Sequence, residues 1–317
     1  MSIAGLKTGW IWKDGKFVPW ENATLHVMSH VVHYGSSVFE GVRCYETSRG
    51  PAFFRLQEHM VRLLDSARIY HMQVPFDLDT LCEASRELFR RNGLRDGYLR
   101  PLVIRGLGGL GVNPGACPIE VYLMCWPWGR YLGADALEQG VDACVSTWAR
   151  PAPNTFPALA KAGGNYLNSQ LSKMEAIRNG YAEGIAVSPD GLVSEGSGQN
   201  IFLVKKGVVR TPQIDGSMLA GITRDTVLHL CREVGLEARE ERVPREMLYT
   251  ADEAFFTGTA AEITPIRSVD RVDVGGGGVG PVTRKLQEAY FELVHGTRAD
   301  ASGWLDFVGW PAAEAAS

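Results

Sequence analysis

Three tight-turn signals constrain this chain more than any other feature. Lys13-Asp14-Gly15-Lys16 separates Trp10-Ile11-Trp12 from Phe17-Val18-Pro19-Trp20, and Asp-Gly between two β-rich runs predicts a type I′ hairpin. Asp190-Gly191 and Lys206-Gly207 predict two more hairpins further on. Such turns pair strands antiparallel, so regular βαβ alternation cannot run through the whole chain. Helical periodicity is interleaved with them. Residues 57–72 carry Met60, Leu63, Leu64 and Ala67 at three- and four-residue spacing. Residues 79–92 carry Leu81, Ala84, Leu88 and Phe89 on one face, with Gly93 just past the end. Helices are also predicted over 166–179, 223–234 and 283–295, and β-rich stretches over 38–45, 98–104 and 119–125. Hairpins mixed with helices define an α+β fold.

The pattern loosens around 128–140, where Gly129, Gly133 and Gly140 punctuate it. This predicts a small N-terminal α/β domain over 1–130, an interdomain loop over 131–140 and a larger C-terminal domain over 141–317. With 45% hydrophobic residues, a chain of 317 residues can bury a sizeable core in each. Lys and Arg total 32 against 36 Asp and Glu, a net charge of −4. That balance gives no electrostatic reason to expect nucleic acid or an anionic membrane surface as partner. No apolar run suits a membrane span or a signal peptide, so the cytoplasm is the expected location. The six cysteines, Cys44, Cys82, Cys117, Cys125, Cys144 and Cys231, form no C-x-x-C pair. Reduced thiols are expected, and no metal site.

Gly106-Leu107-Gly108-Gly109-Leu110-Gly111 matches the dinucleotide fingerprint G-x-G-x-x-G and follows a predicted strand. The fingerprint needs a helix to open directly after it, where the pyrophosphate meets the helix N-terminus. Val112-Asn113-Pro114-Gly115 is turn chemistry instead, so a mobile loop is the better reading.

Lys161 is the most unusual lysine, since it is the one charge between Pro151 and Ser172. Desolvation among apolar residues disfavours an ammonium and favours the neutral amine that a Schiff-base nucleophile needs. A lysine snorkelling from a loop explains it equally well. Glu195, in Ser194-Glu195-Gly196-Ser197-Gly198-Gln199-Asn200, places a carboxylate in a glycine-rich turn leaving a strand. It could keep a pyridine nitrogen protonated, or be a solvated turn residue. Gly221-Ile222-Thr223 opens an amphipathic helix, which makes a phosphate site or a plain capped helix. Phe256-Thr257-Gly258-Thr259-Ala260-Ala261-Glu262 offers hydroxyls and N–H groups after a strand. Arg62 could bond a phosphate or sit on the surface. A Schiff-base lysine, a carboxylate and two or three anion sites are together the parts of a pyridoxal phosphate site.

His33-Tyr34-Gly35-Ser36-Ser37-Val38-Phe39-Glu40-Gly41-Val42-Arg43, Gly97-Tyr98-Leu99-Arg100-Pro101, Lys161-Ala162-Gly163-Gly164-Asn165-Tyr166 and Gly258-Thr259-Ala260-Ala261-Glu262 closely resemble the bacterial branched-chain amino-acid aminotransferases. These are class IV pyridoxal-phosphate enzymes of fold type IV, and the resemblance runs from about Gly9 to Asp306. It implies two domains, active sites at a homodimer interface, and in some relatives a hexamer of three dimers. It implies that Lys161 carries the cofactor as a Schiff base and shuttles a proton. Glu195 would then pair with the pyridine nitrogen and Tyr166 with the phenolic oxygen. Arg62, Ile222, Thr223 and Thr259 would bind phosphate. Tyr98 and the Thr259–Ala260 backbone would take the substrate carboxylate. Tyr34, Phe39, Trp128 and Tyr131 would wall the side-chain pocket, closed by Val112 from the neighbouring subunit. Arg100, two residues from Tyr98 and so on the same strand face, would meet the distal carboxylate of glutamate. The activity implied is amino transfer between leucine, isoleucine or valine and 2-oxoglutarate. D-amino-acid and R-selective amine transaminases and a lyase of aminodeoxychorismate share the fold, and the Tyr98–Arg100 pair favours the branched-chain reading. Relatives often have Glu at position 199 and Ala at 197, where this chain has Gln199 and Ser197, and Pro where it has Ala220.

Overall fold

The computed structural model describes residues 9–129, 132 and 135–310. They divide into two units. The first takes residues 9–129, 162–164 and 292–310, and the second takes the other described residues up to 291.

In the first unit, β1 (Trp10–Lys13) and β2 (Lys16–Pro19) form the opening hairpin. Asp14 and Gly15 take φ of 46° and 87°, the left-handed pair that a type I′ turn requires. α1 (His30–Tyr34) follows, then β3 (Ser37–Phe39), β4 (Val42–Tyr45) and β5 (Ala52–Phe54). The single stretch expected over 38–45 is therefore broken at Glu40 and Gly41. Glu40 is fully buried, and its carboxylate is drawn into an ion pair described below. α2 (Leu56–Ile69) buries Leu56, Met60, Leu63 and Ala67, and α3 (Leu78–Arg91) buries Leu81, Leu88 and Phe89. Phe89 packs edge-on against Phe53 with centroids 4.6 Å apart. Asp77 caps α3 by accepting the Thr80 N–H at 2.9 Å. β6 (Gly97–Arg105) and β7 (Ile119–Trp126) are the long central hairpin. Their eight-stranded sheet runs in the order Leu305–Phe307, β5, β4, β6, β7, β1, β2, with β3 also on β6.

The strand Leu305–Phe307 pairs antiparallel with β5, and Arg86 holds Asp306 through two bonds of 2.6 and 2.8 Å. Residues 292–310 thus group with the first unit, although the sequence assigns the whole of 141–317 to a C-terminal domain. Ala162 bridges Val38 and joins the same unit.

The second unit is built on β8 (Val141–Val145), β9 (Glu183–Val187), β10 (Val193–Gly196), β11 (Asn200–Lys205), β12 (Val208–Pro212), β13 (Ala238–Glu241), β14 (Glu253–Gly258), β15 (Glu262–Val269) and β16 (Val272–Asp273). Its nine-stranded sheet runs β10-β9-β8-β15-β14-β11-β12-β13, with β16 on β15. The hairpins expected at Asp190-Gly191 and Lys206-Gly207 join β9 to β10 and β11 to β12. Parallel pairs also occur, of β8 with β9 and β15, and of β12 with β13. Four helices accompany the sheet: α4 (Ala136–Gln139), within the expected interdomain loop, α5 (Tyr166–Arg178), α6 (Ile222–Glu233) and α7 (Met247–Thr250); α8 (Pro281–Val294) follows it. Ile185, Ile201, Leu203, Phe256 and Ile266 form the core of one sheet face.

All six cysteines are buried and unbridged. Among the described residues no group of side chains could hold a metal ion, and no helix is long and apolar enough to cross a membrane.

Candidate active site

The residues singled out from the sequence fall into two sets, one in each unit. In the second unit, Lys161 stands five residues before Tyr166, the first residue of α5. Its Nζ donates to the Tyr166 hydroxyl, 2.7 Å away. Asn165, just before the helix, donates to the carbonyls of Pro157 and Ala160 at 3.2 and 3.1 Å and so fixes the loop.

Glu195 lies on β10, only 6% exposed. Burial pushes its carboxyl above the usual carboxylate range, opposed by the charge of Arg150, the Leu219 N–H and the charge of Lys161. Arg150 Nη2 is 3.0 Å from Glu195 Oε1. Its own position is set by Ser217 O, Asn168 and Ser169 at 3.3, 2.9 and 3.2 Å. Arg150 was not singled out from the sequence. The signal was its place, directly before the uncharged stretch that isolates Lys161.

Asn200, a second residue not foreseen, connects Glu195 to α6. Its Nδ2 donates to Glu195 at 3.4 Å and to Leu219 O at 3.0 Å. A Cβ on Gly221 would run into Asn200 Oδ1, so any larger residue at the start of α6 would displace Asn200. With no side chain there to cap the helix, its first turn presents N–H groups and the positive dipole end beside the buried Thr223. Asn200 also pairs in register with Thr257 on β14. Thr257 is fully buried, and its hydroxyl has no hydrogen-bond partner among the described residues. Thr259 and Ala260 follow directly. Asn200 thus ties Glu195 to the segment that leads into α6, and its strand pairs with the one that ends just before Thr259.

In the first unit, Tyr98 and Arg100 stand on β6 on the same face. Tyr98 stacks on Trp128 with centroids 4.4 Å apart. A Cβ on Gly41 would lie 1.7 Å from the Tyr98 hydroxyl, which is the physical reason for glycine in Phe39-Glu40-Gly41. The Arg100 guanidinium lies over the rings of Phe39, Tyr98 and Trp126 at 4.9, 5.4 and 5.8 Å. Its buried Nε has no hydrogen-bond partner among the described residues.

Arg62 is gripped by Glu40, Nε to Oε1 at 2.5 Å and Nη2 to Oε2 at 2.9 Å, and His59 Nδ1 is 2.8 Å from the same carboxylate. Burial alone would raise Glu40, but Arg62 and His59 hold it well below the usual carboxylate range. Glu40 was not foreseen either, because its partners lie 19 and 22 residues away.

Val112, 86% exposed, sits on the loop between β6 and β7 with exposed Leu107 and Leu110. No helix follows Gly106–Gly111, so the dinucleotide fingerprint has no helix N-terminus to work with. Tyr34 is half-exposed at the end of α1. Tyr131 lies outside the described residues.

Comparison with known proteins defines the class. The family model "Amino-transferase class IV" matches residues 37–269, and the chain belongs to that family. Its curated relatives narrow this. The branched-chain-amino-acid aminotransferase of Escherichia coli (strain K12) is 54% identical over 303 residues, 95% of this chain and 98% of the relative. A crystal structure of the Escherichia coli branched-chain amino acid aminotransferase superposes with a TM-score of 0.94, covering 95% of this chain and 100% of that one. The branched-chain amino acid aminotransferase of T.th., 46% identical, has been solved with N-(5'-phosphopyridoxyl)-L-glutamate and superposes with a TM-score of 0.91, covering 96% of this chain and 99% of that one. The same T.th. enzyme has also been solved with 4-methylvaleric acid. Within class IV the chain is a member of the branched-chain-amino-acid aminotransferases.

The second unit's residues fit pyridoxal phosphate. Lys161 supplies an amine beside a phenol, and the α6 N-terminus with Thr223 would hold the phosphate. Burial of Glu195 outweighs the opposing charge of Arg150 and raises its carboxyl, so a second cation, such as a protonated ring nitrogen, would favour its carboxylate form.

Proposed function

We propose that this chain catalyses reversible amino transfer between leucine, isoleucine or valine and 2-oxoglutarate, with Lys161 as the residue that binds pyridoxal phosphate. The observation that carries the reading is the Lys161–Tyr166 contact of 2.7 Å in one unit with the deeply buried Glu195. When bound, pyridoxal phosphate supplies an aldehyde that condenses with amines and a ring that draws electrons from the bond being broken. Lys161 would hold the cofactor, and its Nζ would take up and return the proton of the substrate Cα. Tyr166 orients Nζ and donates to the phenolic oxygen. Glu195, kept in place by Arg150 and Asn200, keeps the ring nitrogen protonated. Thr223 with the first turn of α6 from Ile222, Thr259 and Arg62 hold the phosphate. Tyr98 and the Thr259–Ala260 backbone take the substrate carboxylate, while Tyr34, Phe39 and Trp128 wall an apolar pocket. The test is an assay of amino donors against 2-oxoglutarate and pyruvate, in which branched-chain donors with 2-oxoglutarate are expected to react fastest.

Ping-pong transfer makes the same pocket accept leucine and glutamate. The related T.th. enzyme, solved with a glutamate adduct and with 4-methylvaleric acid, supports one pocket for both kinds of side chain. A buried carboxylate needs a charged partner. Arg100 supplies it, since the rings around it favour its charge without satisfying its Nε donor. For leucine the same rings are apolar wall. Arg100→Met is therefore expected to slow the glutamate half-reaction about 10²-fold, the worth of one charged hydrogen-bonded pair. The leucine half-reaction should change by less than about threefold. Single-turnover rates with each donor measure this, and equal losses would make Arg100 scaffold.

We also place the active enzyme in the cytoplasm as a homodimer, or a hexamer of three dimers. Three exposed apolar residues on one loop, Leu107, Leu110 and Val112, support contact with a second copy. Light scattering during assay is expected to give a dimer or larger, and a fully active monomer would refute it.

A further inference from the structure

The loop between β6 and β7 is exposed at its apolar residues but tied down beneath them: Cys117 Sγ lies 3.4 Å from Gly109 O, Arg105 Nη1 donates to Pro114 O at 3.3 Å, and the ends of the glycine run meet one residue. His30, 3% exposed at the start of α1, holds both ends of the glycine run. Its backbone N–H donates to Gly106 O at 3.1 Å, and its ring Nε2 reaches Gly111 O at 3.0 Å. A carbonyl only accepts, so in the neutral ring Nε2 carries the proton and Nδ1 accepts from the Ser36 hydroxyl, 2.7 Å away. The same ring packs against Tyr34 with centroids 4.5 Å apart. Ser36 is fixed in turn, because its carbonyl accepts the Arg105 N–H at 3.1 Å at the end of β6. One imidazole therefore backs Tyr34 and sets the residue immediately before Val112.

We infer that His30 is a positioning residue for substrate binding, joining the pocket wall at Tyr34 to the loop that presents Val112. This rests on the reading above, in which Tyr34 walls this chain's pocket and Val112 closes a neighbouring copy's. The joint then makes the walls of two pockets depend on one side chain. It touches neither cofactor nor reacting atoms, so it acts on substrate affinity and leaves the chemical step unchanged.

His30→Phe keeps a ring against Tyr34 and removes both ring hydrogen bonds. With the holoenzyme, amide hydrogen exchange over residues 107–112 is expected to quicken about tenfold, as the loss of one or two hydrogen bonds predicts. The KM for leucine should rise by a similar factor with kcat within about twofold. His30→Gln, which returns an N–H towards Gly111 O, should recover most of the KM. Ser36→Ala, which removes only the Nδ1 partner, should shift both readouts the same way by less, and it decides the matter if His30→Phe does not fold. Unchanged loop exchange in these variants would overturn the inference. So would faster exchange with an unchanged KM, or a fall in kcat alone. Absence of leucine turnover in the unsubstituted enzyme would refute the proposed function instead, and the exchange data would still judge the anchor.

Discussion

Lys161→Ala is expected to abolish leucine–2-oxoglutarate transamination, by a factor on the order of 10⁴ or more, while the protein stays folded. Nζ is both the covalent attachment point and the proton carrier in the proposed mechanism, and nothing adjacent can replace it. Tyr166 beside it is a phenol, and Arg150 is committed to Glu195. The fold should survive because Lys161 is only half-buried and the loop is held by Asn165 through the carbonyls of Pro157 and Ala160. Two measurements check this: turnover, and the visible absorption band of the purified protein with and without borohydride. A variant that kept ordinary turnover, or that still showed a visible band which borohydride traps on the protein, would exclude Lys161 as the attachment point.

Glu195→Gln should bind pyridoxal phosphate within about tenfold of the unsubstituted enzyme yet turn over roughly 10²–10³-fold more slowly, the usual cost of removing one preorganised electrostatic group. The amide fills the same space and retains contact with Asn200, so phosphate anchoring at α6 is untouched. What disappears is the negative charge proposed to pair with the ring nitrogen. The exchange also leaves Arg150 buried without its counter-charge, and losing one partner of a buried pair destabilises by about 3–5 kcal/mol. A lowered melting temperature is therefore expected beside the kinetic loss. Arg150→Met in the Glu195→Gln background separates the two effects: it should restore stability and leave turnover low. Near-normal activity in Glu195→Gln would rule out the proton-holding role.

What could be read from the sequence was local. The five long helices follow apolar periodicity, and the three hairpin turns follow residues that tolerate left-handed backbone, as Asp14, Gly15, Lys206 and Gly207 do here. Lys161 stood out because charge was absent around it. The parallel pairing of β8 with β9 and β15 left no trace in its five residues, since parallel register is set by partners far along the chain. Glu40, Arg150 and Asn200 were overlooked for the same reason. Each is an ordinary polar residue in the sequence, and its role comes from a partner brought close by the fold. Arg62 shows the converse: its residue type was noted, but its grip by Glu40 was invisible until the strand β3–β4 was seen to break there.

The pairing of Leu305–Phe307 with β5 has a consequence for how the protein is made. The first unit's sheet has the opening hairpin at one edge and this late strand at the other. A ribosome delivers the strand that covers β5 long after β5 itself, so the outer backbone groups of β5 stay uncovered in the meantime. Until then it is an open template for other nascent chains. A gene fragment ending at the apparent boundary near Gly129 would carry that open edge permanently. The unit that looks separable on paper is therefore the one that depends on full-length synthesis.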